Sequence, residues 1–236
     1  MGRNPGTHVL SKVSAVLFDL DDTLLNTFGA RLKALQQVFR NSGIYSPTAE
    51  EFLRSLNGRE MTSALGLLQR NLQTGSNLFE HYRRAYWGKA PGQVSAYAGV
   101  KSMLHELHVR NIKLGVVTQK RRSFEMEGRQ VGAQEEMAEA RIADMFSAVI
   151  GFEDASNHKP HPEGVNLALH RVGVAPETAI MVGDSAADIA AGRAAGCWTC
   201  YATWGVPASV QAQASLDADF IADTPQVIGL WTKTSS

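Results

Sequence analysis

Residues 13–26 read VSAVLFDLDDTLLN. The first half, VSAVLF, is a short and almost unbroken apolar run, the pattern of a strand buried on both faces, and such strands belong to parallel sheets covered by helices. The run stops abruptly at acids: Asp19, Asp21 and Asp22, followed by Thr23. Comparable runs recur at 113–118 (KLGVVT), 147–150 (SAVI), 178–182 (TAIMV) and 197–202 (CWTCYA), with a last one near 219–221. Helical patterns separate them near 99–110, 133–144, 162–172 and 185–195, and a short helix follows Thr224. Strands alternating with helices predict an α/β fold with a parallel sheet, whose ligands bind beyond the carboxyl ends of the strands.

One interval breaks the alternation. Residues 27–95 hold no convincing strand but show helical patterns near 27–42, 47–56, 59–72 and 77–88, so an all-helical segment is inserted after the first strand. Its hinges are expected near Asn26–Thr27 and Ala90–Ala98, where Pro91 and Gly92 punctuate the chain. The division expected is therefore 1–26 with 96–236 as one domain and 27–95 as another. A second irregularity is the polar stretch 121–145, in which Gly128 and Gly132 interrupt any continuous helix.

Composition narrows the function classes. The chain has 236 residues, 44% hydrophobic and 19% charged, enough for a core domain with a smaller insertion. Lys plus Arg and Asp plus Glu both total 23, which leaves no global field to hold nucleic acid or an anionic membrane. The start has basic residues but no apolar signal region, and no stretch is long and apolar enough to span a bilayer, so a cytoplasmic protein is expected. Cys197 and Cys200 form a CxxC without a second ligand pair and within a strand pattern, and are read as small buried residues.

The strand ends carry the chemistry. The second strand ends in Thr118 and the fourth in GDSAAD, giving Asp184 and Asp188, while Lys159–Pro160 falls in the loop before a helix. Carboxylates brought to one sheet edge cannot all stay ionised without a compensating cation. A hard divalent ion with oxygen ligands supplies it, and Mg²⁺ suits a site it shares with water and phosphate. Asp21 and Asp22 also have a plainer reading as caps of the following helix, and capping accounts for one of them. His158 and His161 flank Lys159, but Mg²⁺ prefers oxygen, so they are not read as ligands.

This set, DxDxT at Asp19, Asp21 and Thr23, then Thr118, then Lys159 with Pro160, then GDSAAD, resembles the haloacid dehalogenase superfamily in content and order. The resemblance implies a Rossmann-like core with an inserted all-helical cap, of the subfamily that includes phosphoglycolate phosphatase, pyrophosphatase and β-phosphoglucomutase. It implies that Asp19 attacks phosphorus to form an aspartyl-phosphate, and that Asp21 protonates the leaving oxygen and then activates water. Thr118 and Lys159 would hold phosphoryl oxygens. Mg²⁺ would be held by Asp19, Asp184 and the main-chain carbonyl of Asp21. Asp188, four residues after Asp184, is expected to order a metal-bound water or orient Lys159. Thr23 and Gln119 are expected beside the site.

The second acid, Asp21, favours phosphate over halide chemistry, and a receiver domain would carry its acceptor on the third strand, so that alternative fails on order. In the cap, Gly58, Arg59 and Glu60 stand where the subfamily's substrate-specificity loop falls. Arg59 is the candidate substrate contact, its other reading being a solvated helix-start arginine. The expected activity is Mg²⁺-dependent hydrolysis of a small phosphorylated metabolite, phosphoglycolate-like, with mutase, pyrophosphatase or nucleotidase as alternatives. The stretch after Lys120 is longer than the resemblance leads one to expect and reads as a tolerated loop.

Overall fold

The structure, a computed structural model, describes residues 13–56, 58–88, 93–206 and 217–231. Its centre is a six-stranded, all-parallel sheet built from β1 (Ala15–Phe18), β4 (Lys113–Val117), β7 (Ala148–Ile150), β8 (Ala179–Gly183), β9 (Trp198–Ala202) and β10 (Phe220–Ala222). The order across the sheet is β10-β9-β8-β1-β4-β7. From β1 the chain winds outward through β4 and β7, then returns to the other side of β1 and winds out through β8, β9 and β10. The winding therefore reverses between β1 and β8, and crevices at such reversals are where open α/β sheets bind ligands.

Two-residue periodicity sorts the strand side chains onto the two faces. Val16 and Phe18 of β1, Leu114 and Val116 of β4, and Ile180 and Val182 of β8 pack with α5 (Val100–Val109) and with α6 (Ala133–Glu139) and α9 (Pro225–Trp231). Ala15, Leu17, Ala179 and Met181 pack instead with α7 (Glu163–Val172) and α8 (Ala186–Ala194). Both faces are covered, so β1 is buried along its whole length. Gly115 lets β4 lie against β1, since a Cβ there would come within 2.7 Å of Leu17 Cδ2.

The expected all-helical interval consists of α1 (Phe28–Asn41), α2 (Ala49–Ser55), α3 (Met61–Asn71) and α4 (Leu78–Trp87). These close around their own apolar cluster, in which Leu35, Phe39, Leu65, Leu78 and Tyr86 are buried. The helix starts are built in the sequence: Thr48 and Glu51 form a reciprocal capping box on α2, and Asn77 caps α4. Two short strands, β2 (Leu25–Asn26) and β3 (Ser95–Ala96), pair antiparallel and bring the entry and exit of this helical module side by side. Of the expected hinge at Ala90–Ala98, residues 90–92 lie outside the described residues.

Ahead of the helical pattern expected at 133–144, the polar stretch departs from its reading as a tolerated loop. It contains a β-hairpin, β5 (Phe124–Met126) and β6 (Arg129–Val131), followed by α6. Glu127 and Gly128 at its tip both have positive φ, 50° and 73°, the signature of a two-residue primed turn. Phe124 and Met126 alternate with Glu125, so one face of the hairpin is apolar, and Phe124, Met126 and Val131 pack on the cluster of the helical module. Trp87 and Phe124 meet edge to face with ring centres 5.7 Å apart, and Arg129 Nη2 donates to the Trp87 carbonyl at 2.9 Å. Among the described residues, no helix is long and apolar enough to cross a membrane. Cys197 and Cys200 are buried and unpaired, and burial pushes the Cys197 thiol up to about 12.

Candidate active site

Register decides what lies at the sheet edge. Phe18 is aligned with Val116 on one side and Val182 on the other, so Asp19 is the first residue past the end of β1, and its N–H still donates to Val182 O at 2.9 Å. Asp184 follows β8 directly. Ser185 then caps α8, in a capping box whose other half is Asp188: Ser185 Oγ and N donate to Asp188 Oδ2 at 2.5 and 3.1 Å. The cap holds the Asp188 carboxylate in place, and its other oxygen accepts from Lys159 Nζ at 2.6 Å. The same ammonium donates to Asp19 Oδ1 at 2.5 Å and to Val117 O at 3.0 Å. Lys159 thus ties the loop before α7 to the ends of β1 and β4 and to α8.

Oxygens of Asp19, Asp184 and Asp188 all lie within 4.8 Å of one another. Thr23 Oγ1 donates to Asp184 Oδ1 at 3.2 Å. Burial, opposed by Lys159 and reinforced by the charges of Asp188 and Asp21, pushes the Asp19 carboxyl up to about 7. Burial and the neighbouring Asp19, Asp188 and Asp22 carboxylates drive Asp184 well above the ordinary range as well. For Lys159, desolvation works against the charge, but Asp188 and Asp19 outweigh it and the ammonium is held more firmly than usual. One buried ammonium answering three clustered carboxylates leaves the site short of positive charge. An all-oxygen donor set with that deficit fits a hard divalent cation such as Mg²⁺, with Asp19 and Asp184 the side chains best able to turn to it.

The other expected residues divide. Thr118 is buried at the end of β4, and its hydroxyl accepts from the Lys120 N–H at 3.2 Å. Gln119 Nε2 bridges the carbonyls of Lys159 and Gly58, at 3.1 and 3.0 Å, joining the loop before α7 to the helical module. Arg59 lines the cavity beside these groups but is exposed, and its guanidinium folds back on the carbonyls of Ser55 and Leu56. Asp22 takes the plainer reading foreseen for one acid: its Oδ1 accepts from the N–H groups of Thr27 and Phe28 at the start of α1, and its Oδ2 pairs with Arg31. At φ 61° Asp22 occupies a left-handed position that aspartate tolerates. Gly205 packs so close that a Cβ would fall 2.0 Å from the Asp22 carbonyl, and Trp204 Nε1 donates to Thr23 O at 2.8 Å. His158 stacks on Phe152 and stands 3.5 Å from Glu60, away from the acid cluster's ligands.

Sequence reasoning passed over Lys120. Its ammonium is 2.7 Å from Asp21 Oδ1 and 2.5 Å from Glu136 Oε2, donates to Tyr86 OH at 2.8 Å, and lies over the rings of Tyr86 and Trp87. Tyr86 OH in turn donates to Glu136 Oε1 at 2.7 Å. Burial works to raise Asp21, but the charges of Lys120 and Arg31 prevail and hold its carboxyl below the ordinary value. The available signal was Thr-Gln-Lys at a strand end; what hid it was that its partners, Tyr86 in the helical module and Glu136 in α6, are far from it in the chain.

A cavity of about 490 Å³ opens from this acid cluster and runs between the sheet edge and the helical module, lined by Asp19, Asp21, Thr118, Lys159 and Asp184 at one end. Arg31, Tyr82 and Phe124 line it farther out.

A family model described as haloacid dehalogenase-like hydrolase matches residues 16–202. The pyrophosphatase PpaX of Bacillus pumilus is 32% identical over 198 residues, 83% of this chain and 86% of that protein. A protein described as a pyrophosphatase PpaX in Clostridium perfringens is 31% identical over 225 residues, 95% of this chain and all of that one. Among solved structures, a predicted phosphoglycolate phosphatase from Haemophilus somnus superposes with a TM-score of 0.74 at 22% identity, covering 97% of this chain and 100% of that chain. A haloacid dehalogenase-like family hydrolase from Streptococcus pneumoniae superposes with a TM-score of 0.73 at 23% identity, covering 94% and 99%.

Proposed function

Because this chain belongs to the haloacid dehalogenase-like hydrolases, with the family match spanning residues 16–202, we propose that it is a Mg²⁺-dependent phosphatase acting on a small phosphomonoester through an aspartyl-phosphate at Asp19. The observation that carries this reading is the buried Lys159 ammonium shared between Asp19 and Asp188, beside Asp184, at the sheet's reversal point. In the proposed division, residues 27–95 form a cap over a core of 1–26 and 96–236.

The roles proposed are those the family resemblance implies, and the geometry of the site accommodates them. Asp19 Oδ attacks phosphorus, and the bond to the leaving oxygen breaks as that oxygen takes a proton from Asp21. Asp21 then removes a proton from water, which attacks phosphorus. The bond to Asp19 breaks and inorganic phosphate leaves. Lys159 and the Thr118 hydroxyl hold phosphoryl oxygens, and Asp188 keeps Lys159 in place. In the resting site Lys120 and Arg31 favour ionised Asp21, the form needed to activate water; an incoming phosphate dianion raises its proton affinity, and Asp21 takes up a proton from solvent before the first step. Asp19, Asp184 and the Asp21 carbonyl would hold Mg²⁺, whose charge offsets the repulsion between carboxylate and phosphate.

Phosphate release from a panel of phosphomonoesters, pyrophosphate and sugar phosphates, in Mg²⁺ and in EDTA, tests this reading. Metal-dependent release from monoesters is expected, and no metal-dependent turnover of any member would defeat it. Pyrophosphate is the second reading, favoured by the name of the relatives at 31–32% identity, and it wins if pyrophosphate exceeds every ester in kcat/KM.

A further inference from the structure

The cavity walls beyond the acid cluster carry a pattern that the phosphatase reading does not use. At about 490 Å³ the cavity falls in the range of roughly 300–1,000 Å³ typical of sites for drug-sized ligands. Phosphoglycolate or pyrophosphate would leave most of it to water. Several cations on the walls are already matched by carboxylates of the chain itself, whereas Arg59, which donates to the carbonyls of Ser55 and Leu56, and Arg121 line the cavity beside them. Arg31 pairs with Asp22, Arg54 with Glu50, Arg83 with Glu80, and Lys120 with Asp21 and Glu136. At those four cations a second phosphate or a carboxylate on the leaving group would have to compete with a carboxylate already in place.

Aromatic faces make up the difference. Phe28 and Phe79 of the helical module and Phe124 of the hairpin line the cavity and are only part-buried. Two of the three are held by neighbours that also line the cavity: the Arg54 guanidinium lies over the Phe28 ring at 4.8 Å, Arg83 lies over Phe124 at 4.9 Å, and Trp87 meets Phe124 edge to face. Fixed rings around an apolar space recognise another ring by offset or edge contact as well as by buried area. The hairpin thus completes the wall facing the helical module.

We propose that the substrate's leaving group carries a planar aromatic ring, seated between Phe28 and Phe79 of the helical module and Phe124 of the β5–β6 hairpin. This rests on the phosphatase reading and departs from the phosphoglycolate-like expectation. The ring is borne directly on the ester oxygen, as in an aryl phosphate, or through a pentose, as in a nucleoside monophosphate.

The test measures kcat/KM of the full chain in Mg²⁺ for naphthyl phosphate, nucleoside monophosphates, cyclohexyl phosphate, phosphoglycolate and pyrophosphate. Aryl esters leave more easily, so inhibition constants of naphthylmethylphosphonate and phosphonoacetate are compared alongside. One ring-bearing class should exceed phosphoglycolate, pyrophosphate and the cyclohexyl ester by about tenfold or more, and the ring phosphonate should bind more tightly by about the same factor, the scale of one ring's buried contact. Which arm leads, aryl or nucleoside, identifies how the ring is attached.

Phe124→Ala should lower the ratio of kcat/KM for the ring ester to that for phosphoglycolate by about tenfold. Phe79→Leu serves in its place if the first variant does not fold. If phosphoglycolate or pyrophosphate matches every ring ester, and Asp19→Asn abolishes that turnover, the ring proposal falls while the phosphatase reading stands. If nothing is turned over, both fall.

Discussion

At the scale of single residues the site is a charge imbalance held in place by packing. Asp19 binds its proton at about 7 in the folded protein against an ordinary 3.8, because burial and neighbouring acids outweigh Lys159. A group with a raised folded value favours the fold below the ordinary value, and that contribution is lost as the pH rises towards about 7. The metal-free protein therefore carries a repulsion at neutral pH that a divalent ion relieves, and the ion binds the deprotonated acids. The gain in Tm on replacing EDTA with Mg²⁺ should be larger at about pH 8 than at about pH 5. An equal gain at both would mean these carboxylates do not hold the metal. By the same logic Asp184→Asn, measured in EDTA at neutral pH, should raise Tm while abolishing turnover, since it removes a charge that Asp19 and Asp188 oppose. Lowered stability would contradict that balance. Asp19, Asp184 and Lys159 were legible in the sequence because each sits directly at a strand end or beside Pro160, and Asp188 because it follows Asp184 by four residues. Lys120 was not, because its meaning depends on Tyr86 and Glu136, one in a distant helix and the other beyond the hairpin.

Elements show why some of the fold was legible and some was not. Strands β1, β4, β7, β8 and β9 are buried, so their apolar runs stand out from the polar helices between them, and the four helices of the inserted module announce themselves by period. The hairpin is short, half-exposed and charged, and its turn is Glu127–Gly128 rather than the commoner Asn-Gly, so only the alternation of Phe124 and Met126 marked it. Its packing makes it a strut between core and helical module rather than a tolerated loop. The buried Lys120–Glu136–Tyr86 set beside it should be sensitive to loss of one member. Glu136→Leu leaves Lys120 without its closer carboxylate and should destabilise the protein by about 3–5 kcal/mol. Tyr86→Phe removes only a hydroxyl and should cost about 1–2 kcal/mol. Denaturant unfolding checks both, and equal costs would refute the charge-based ranking.

Over the whole molecule, function depends on how the helical module meets the sheet edge. Contacts at the meeting include Gln119 with the Gly58 carbonyl, Lys120 with Tyr86, and the hairpin with Trp87. Gly58 has φ 80°, and a Cβ there would come within 2.4 Å of Ser185 Oγ at the start of α8. Gly58→Ala should push the module off the site, lowering kcat/KM by about tenfold or more with little change in the core's stability. Unchanged kinetics would show that closure at this point is not needed. All of this rests on Asp19 as the nucleophile. The most direct test is to quench the enzyme with acid during turnover, reduce with borohydride and read the mass of the peptide containing residue 19. A covalent acyl phosphate predicts homoserine at position 19, absent in EDTA and in Asp19→Asn; steady phosphate release with Asp19 unmodified, or the mark on another residue, would contradict the account.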